Sequence, residues 1–272
     1  MNTLAEPQTL ISEKRERNHG IDLLRLVSMF MVVMLHLLGG GGILDNTQEL
    51  SLRSELFWTV EVICYCAVNV YAIISGYVGL KAKHKFTNLI NLCIQITFYS
   101  FVITGIDLVM LLVKGESISL YKTFTNLFPS MSFVYHGLWY FSAYFCLFFF
   151  MPILNSIVEN VPRNTLKTVA VFVFIVFCGW TQIYTDIAHL GRGYSVLWLA
   201  ILYVFGAYLA KYDVLKNLSA AKSVLGYLIC VAVTMLSRFA MGSVFPKRIN
   251  LLVSYTSPTI VLCAVFLFNI FT

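Results

Sequence analysis

The first apolar run of the sequence carries three ionisable residues at spacings that place them along one side of a helix. Asp22 precedes Arg25 by three positions, and His36 follows Arg25 by eleven. In an α-helix, eleven positions make about three turns plus 20°, so Arg25 and His36 share a stripe about 16 Å long. The i,i+3 spacing of Asp22 and Arg25 allows an ion pair. A guanidinium suits phosphate or carboxylate recognition, and an imidazole suits proton abstraction from a hydroxyl.

Asp22, Arg25 and His36 can also be explained without a catalytic or binding role. A charged side chain at mid-bilayer costs about 2.5–3.5 kcal/mol on insertion scales, so its presence needs a reason. Asp22 and Arg25 near the start of a helix can extend to the interface as topology determinants. A single histidine near the end of a helix is often an interfacial or packing residue. On these residues alone, both interpretations stay open.

Three further ionisable residues fall within apolar runs. Glu61 is either an interfacial carboxylate or a partner that orients or charges His36. Asp107 lies late in its run, where an interfacial carboxylate is favoured. Arg238 is expected to extend outward to the interface or to line the same cavity. The candidate catalytic residues are therefore His36 and Glu61.

Short polar and aromatic motifs supply candidate binding residues. Ser75 precedes Gly76, and a small pair of this kind usually permits close helix packing. Aromatic residues that open a helix, as Trp139 and Tyr140 do here, usually form an interfacial belt. Arg192 is carried by a loop. The candidate substrate- and donor-binding residues are Asp22, Arg25, Ser75, Trp139, Tyr140 and Arg192.

The elements that must position these residues are membrane-spanning helices. The chain of 272 residues is 59% hydrophobic and 12% charged, whereas soluble domains are about 25% charged. Apolar runs of about twenty residues recur, which is the length needed to cross a hydrocarbon core of about 30 Å. The runs are continuous rather than alternating, which favours helices over a β-barrel. The predicted fold class is all-α, a polytopic transmembrane bundle of eight helices near 21–38, 57–79, 89–113, 138–155, 166–183, 194–210, 222–240 and 250–271.

The distribution of basic residues predicts the topology. Eleven Lys and Arg lie in segments on the N-terminal side and six lie on the other side, while Arg25 and Arg238 within helices complete the nineteen. The positive-inside rule then places the N-terminus in the cytoplasm, with residues 1–20 as a cytoplasmic tail and 21–272 as a multi-pass domain in the plasma membrane. Lys247 and Arg248 are two basic residues that this topology places on the outer side, contrary to the rule. The net charge of +6 thus has a topological cause, and we expect membrane lipids rather than nucleic acid as partners.

No metal centre or disulfide framework is predicted. The seven cysteines all fall inside apolar runs, where cysteine behaves as a small apolar packing residue. None of the histidines has metal-ligand spacing to another His, Cys or carboxylate.

An ordered set of motifs resembles the membrane acyltransferase-3 family over most of residues 20–272. The motifs are Asp22-x-x-Arg25, His36, Tyr71-Ala-Ile-Ile-Ser75-Gly76-Tyr77, Trp139-Tyr140-Phe141, Pro152, Gly193-Tyr-Ser195-Val-Leu-Trp198 and Tyr203-Val-Phe-Gly206-Ala-Tyr208. Within the family, the sequence looks closest to small-acceptor and polysaccharide O-acetyltransferases, and it is also similar to the membrane halves of some membrane-bound serine racemases. The resemblance implies ten core helices, whereas the sequence shows eight and stops at Thr272 directly after the last one. We therefore expect a variant or a chain truncated at its C-terminus.

The resemblance implies transfer of an acyl group, usually acetyl from acetyl-CoA, to a hydroxyl of a cell-envelope glycan or a related small acceptor, with no bound cofactor. Arg25 would hold the phosphates of the donor, and His36 would deprotonate the acceptor or assist passage of the acyl group. Two other functions stay open. Buried charges that line a helical bundle are also expected in a transporter or exporter, although no inverted repeat is visible. The chain is alternatively a non-catalytic membrane module that serves a partner enzyme.

Overall fold

Eight helices carry the apolar runs in the described part of the chain. The computed structural model describes residues 18–115, 119, 138–184, 186, 188–245 and 249–272. The helices are α1 (His19–Gly40), α2 (Leu52–Gly79), α3 (Phe86–Lys114), α4 (Trp139–Asn160), α5 (Arg163–Ile183), α6 (Val196–Tyr212), α7 (Ala220–Val244) and α8 (Pro258–Phe271). Six are long and apolar enough to cross a membrane, α6 and α8 are shorter apolar helices, and the described residues contain no strand. The predicted eight-helix, all-α fold is confirmed.

The starts of α2 and α8 differ most from the predicted starts, and local capping decides both. α4 and α7 end five and four residues later than predicted. α2 begins at Leu52, since the Ser51 side chain accepts a hydrogen bond from Ser54 N at 3.2 Å, as serine commonly does at a helix N-cap. The last helix begins at Pro258, where the fixed φ and missing N–H of proline suit the first helical position. The apolar residues before Ser257 form turns instead of helix.

The centre of the bundle is the crossing of α2 and α6. A Cβ atom at Gly76 would stand 1.9 Å from the Tyr203 carbonyl oxygen, and one at Gly206 would stand 2.1 Å from the Ile73 carbonyl oxygen. Only glycine at both positions therefore lets the two backbones approach so closely, as small residues do between membrane helices. The packing role predicted for Gly76 is confirmed.

The outer helices of the bundle are α3 and α5, and each presents mainly lipid-facing apolar side chains. Only 11% of the most apolar stretch of each helix is buried inside the protein.

All seven cysteines are free, and five of them are buried.

Arg238 does not extend to the interface as expected. Its side chain is 1% exposed and pairs with Glu55 at 3.3 Å. The guanidinium also lies 3.9 Å from the centre of the Trp58 ring and donates a hydrogen bond to Asn250. Arg238 is held inside the bundle because α7 packs against the first half of α2. This packing places the Glu55 carboxylate and the Trp58 ring around the guanidinium.

Candidate active site

α1 and α2 run antiparallel, and their contact positions Arg25. The Tyr71 hydroxyl donates a hydrogen bond to the backbone carbonyl of Arg25 at 2.7 Å. The Arg25 side chain is 43% exposed, and its Nη1 donates to Asp22 Oδ1 at 3.3 Å. The ion pair predicted from the i,i+3 spacing is therefore present.

We call the end of the bundle where α1 begins the first face and the opposite end the second face.

Four side chains from α2 and α4 form a connected set beside Arg25. Ser75 lies one turn after Tyr71 and donates to its carbonyl at 2.8 Å. Tyr144 lies within hydrogen-bonding reach of Ser75 and near Arg25. Tyr140 stacks on Tyr144 at 6.3 Å and lies 6.3 Å from the Tyr71 ring. This arginine site (Arg25, Tyr71, Ser75, Tyr140 and Tyr144) combines one cation with four hydroxyl groups. The Tyr71 and Ser75 hydroxyls donate to backbone carbonyls and can accept from a ligand. The guanidinium supplies the positive charge that an anionic or highly oxygenated ligand requires.

A polar groove adjoins the arginine site at Tyr144. The groove lies between α3 and α4 and has a volume of about 320 Å³. Its lining residues are Asn88, Leu89, Asn91, Leu92, Gln95, Tyr144 and Phe148. The carboxamides of Asn88, Asn91 and Gln95 lie at i, i+3 and i+7, on one face of α3. A carboxamide that faces hydrocarbon without a hydrogen-bond partner costs free energy. This carboxamide groove therefore favours water or a polar ligand.

Sequence reasoning did not identify two of the three tyrosines of the arginine site, Tyr71 and Tyr144, or the carboxamides of α3 as binding residues. The carboxamides do carry a sequence signal, because Asn88, Asn91 and Gln95 recur at helical spacing in an otherwise apolar run. Tyr71 appears in the sequence only as the first residue of a family motif, and Tyr144 carries no signal of its own, since the chain has 15 tyrosines.

The aromatic residue that opens α4 joins the arginine site to the second face. The Trp139 ring lies 5.7 Å from Tyr140, 4.5 Å from Tyr194 and 5.7 Å from Tyr255. Tyr255 also lies 4.8 Å from Tyr65 and 5.0 Å from Tyr194. This aromatic cluster (Tyr65, Trp139, Tyr194 and Tyr255) touches the arginine site through the contact of Trp139 with Tyr140. The structure thus brings the predicted binding residues Arg25, Ser75, Tyr140 and Trp139 into one connected set.

Buried hydrogen bonds hold Tyr255 in the aromatic cluster. Asn69 in α2 donates to the Tyr255 carbonyl at 2.8 Å and accepts from the Trp198 indole at 3.1 Å. Burial raises the pKa of the Tyr255 hydroxyl, and the neighbouring Tyr194 and Tyr65 raise it further. The hydroxyl therefore stays protonated at neutral pH and can donate a hydrogen bond.

Arg192 has a structural partner of its own. It adopts a left-handed φ of 58°, and its Nη2 donates to the Val253 carbonyl at 2.6 Å and to the Asn250 carbonyl at 3.4 Å. Gly193 follows with a φ of +100°, and a Cβ there would lie 2.4 Å from the Tyr255 Cβ. Arg192 thus holds the segment before α8 against the loop before α6, and its role in substrate binding stays a prediction.

The two candidate catalytic residues lie toward the second face. Glu61 is 7% exposed, and its Oε2 atom is buried without a hydrogen-bond partner. His36 is exposed and begins the π-helical turn His36–Gly40 that ends α1. Such turns often occur at functional sites. In the part of the chain that the structure describes, no hydrogen bond or ion pair joins His36 to Glu61, so their catalytic partnership also stays a prediction.

Comparison with known families decides the class of the protein. The model of the acyltransferase domain named acyltransferase-3 matches residues 18–271. The chain belongs to the acyltransferase-3 family. No curated protein and no solved structure matches it.

Membership in the acyltransferase-3 family confirms the resemblance drawn from the ordered motifs. Together with the long apolar helices, it makes the chain a multi-pass membrane acyltransferase. Of the predicted N-terminal tail, residues 1–17 lie outside the described residues.

Proposed function

We propose that this acyltransferase-3 protein moves an acetyl group from acetyl-CoA to a hydroxyl of a cell-envelope polysaccharide or a related small acceptor. The observation that carries the proposal is the arginine site. It places a guanidinium and four hydroxyls beside a polar groove within apolar, membrane-spanning helices. We place the protein in the plasma membrane with its N-terminus in the cytoplasm, so that the charged coenzyme meets Arg25 without crossing lipid.

The donor would bind along the first face. The phosphates of acetyl-CoA are multiply charged, and arginine recognises phosphate through paired N–H groups. The arm that joins the phosphates to the thioester contains two amides, which the carboxamide groove can match with both donors and acceptors. Arg25 and the groove would thus hold the charged and amide portions of one extended donor.

The acceptor would approach from the second face, where His36 is exposed. In the proposed step, the His36 imidazole takes the proton of the acceptor hydroxyl while the oxygen attacks the thioester carbonyl. A carbon–oxygen bond forms, the carbon–sulfur bond breaks, and the coenzyme leaves as a thiolate that takes up a proton. A negative charge on Glu61 would favour the protonated imidazole that this step creates.

Replacement of His36 tests the base. We expect His36→Ala to lower the rate of acetyl transfer by about 10²- to 10⁴-fold, which is the usual contribution of general acid–base catalysis. The measurement is transfer of radiolabelled acetyl from acetyl-CoA to envelope glycans in membranes. The matched control is His19→Ala, which removes an exposed histidine at the start of the same helix. Normal transfer by His36→Ala would overturn the role of His36.

Replacement of Arg25 tests the donor site. A hydrogen bond to a charged group contributes about 1.5–3 kcal/mol, and each 1.4 kcal/mol corresponds to about tenfold in affinity. Arg25→Ala should therefore raise the KM for acetyl-CoA by about 10- to 100-fold, with a smaller effect on kcat. Arg53→Ala, which removes an exposed arginine near the second face, is the control. An unchanged KM would contradict the assignment.

The acceptor is identified by mass spectrometry of envelope glycans from cells with and without the gene. We expect cells without the gene to lose the mass of one acetyl group from a glycan. Identical acetylation in both would contradict the proposed acceptor class.

A further inference from the structure

Glu61 is a buried carboxylate that has no positive partner among the residues that the structure describes. It lies in the middle of α2, is 7% exposed, and its Oε2 makes no hydrogen bond. Within the described residues, no Lys, Arg or His forms an ion pair with it. A carboxylate in apolar surroundings is costly unless it is paired. A positive group or a hydrogen-bond donor beside Glu61 would therefore stabilise its ionised form.

The backbone of α1 leaves one side of the carboxylate open. A Cβ at Gly39 would meet only Glu61 Oε1, at 3.9 Å, and a Cβ at Gly40 would meet nothing within 4 Å. Both glycines belong to the π-helical turn His36–Gly40. The end of α1 therefore presents bare backbone next to the carboxylate, and a small group can approach Glu61 past these two glycines.

Aromatic rings lie one helical turn from the carboxylate. Tyr65 follows Glu61 by four positions on α2, and its ring lies 4.8 Å from that of Tyr255. Tyr194, in contact with Tyr255, is 49% exposed and gives the aromatic cluster an open edge. Aromatic faces and a carboxylate both attract organic cations, and together they are the usual recognition set for an ammonium group.

We propose that Glu61 and the aromatic cluster bind an ammonium group carried by the acceptor. This inference rests on the proposed function and narrows its acceptor class to hydroxyl compounds with a positively charged amine, such as an amino sugar, rather than neutral sugars. The ammonium forms an ion pair with Glu61 and stays charged, while a hydroxyl of the same molecule points to His36. An amine in a lipid headgroup offers the same chemistry as a soluble one.

The test measures binding without the acetyl donor, so that it does not depend on catalysis. The full chain is purified into nanodiscs of phosphatidylglycerol only, and glucosamine and N-acetylglucosamine are titrated by calorimetry. N-acetylation removes the charge and keeps the remaining hydroxyls. We expect glucosamine to bind at least about tenfold more tightly, a difference of 1.4 kcal/mol.

Matched variants assign the preference to the site. Glu61→Gln keeps the shape of the side chain and should abolish the preference, whereas Glu159→Gln changes an exposed carboxylate at the end of α4 and should not. Gly39→Ala adds a Cβ at ordinary contact distance from Glu61 and should keep glucosamine binding, while Gly39→Leu should block it. A melting temperature for each variant confirms that it folds.

Equal binding of the two sugars, or a preference that survives Glu61→Gln, would overturn the inference. A second series with phosphatidylethanolamine in the nanodiscs identifies the source of the amine. Weaker glucosamine binding in that series assigns the site to a lipid headgroup, and unchanged binding assigns it to a soluble amine. If glucosamine binds as expected but acetyl-CoA is never consumed, the proposed function fails and this site stands.

Discussion

The crossing of α2 and α6 gives the sharpest quantitative prediction, the effect of Gly76→Ala. The added methyl would stand 1.9 Å from the Tyr203 carbonyl oxygen, 2.7 Å from its carbon and 2.9 Å from Ala207 N. All three atoms belong to backbone, so no side chain can rotate to relieve the contact. Because ordinary contacts begin near 3.5 Å, the two helices must separate by about 1.5 Å.

The magnitude follows from two opposing terms. Overpacking of a tight core costs about 1–3 kcal/mol, and a clash with backbone belongs at the upper end of that range. Alanine is a better helix former than glycine by about 1 kcal/mol, which leaves a net loss of about 2 kcal/mol. A protein of this size should then melt about 4–8 °C lower, since 1 kcal/mol shifts the Tm by about 2–4 °C.

The same movement should impair catalysis. Ser75 and Tyr71 precede Gly76 on the same helix and belong to the arginine site. A misplacement of about 1 Å can cost about 10²-fold in rate, so we expect a loss of that order in acetyl transfer.

The assay compares Gly76→Ala with Gly105→Ala in nanodiscs, by thermal unfolding and by the initial rate of acetyl transfer. Gly105 lies on the outer helix α3, and a Cβ there would meet nothing within 4 Å. This control should keep or slightly raise the Tm and keep the rate. Equal melting temperatures and equal initial rates for the two variants would show that α2 and α6 are not held in this close approach, and would refute the reasoning.

Two further substitutions test buried polar networks. Arg238→Ala leaves the partly buried Glu55 carboxylate without its partner, and we expect a loss of about 3–5 kcal/mol in thermal or denaturant unfolding, as for other broken buried pairs. Arg53→Ala, at an exposed position on the same helix as Glu55, should cost less than about 1 kcal/mol, and equal losses would contradict the buried ion pair. Asn69→Leu removes the acceptor of the buried Trp198 indole N–H and should cost about 1–3 kcal/mol. An unchanged Tm in that variant would show that the indole finds another acceptor.

The amino-acid sequence by itself determined that the apolar runs in the described residues form helices. Each apolar run of about twenty residues must satisfy its backbone polar groups internally once in lipid, and a helix does so without any other segment. The pairing of Asp22 with Arg25 was predictable for the same reason, since three positions along one helix fix their proximity. The order of motifs around His36 and Ser75 also sufficed to indicate the family.

Only the tertiary structure decided which helix faces meet. Lipid tails are as apolar as the helix surfaces, so hydrophobicity selects the segments that insert but not the partners that they choose. Contacts between distant segments depend on shape and on hydrogen bonds. Examples are the fit at Gly76 and Gly206, the ion pair of Arg238 with a residue 183 positions away, and the position of Tyr144 beside Arg25. For that reason the chemistry-bearing residues of α1 could be found from their spacing, whereas the surfaces that would hold the donor and the acceptor could not.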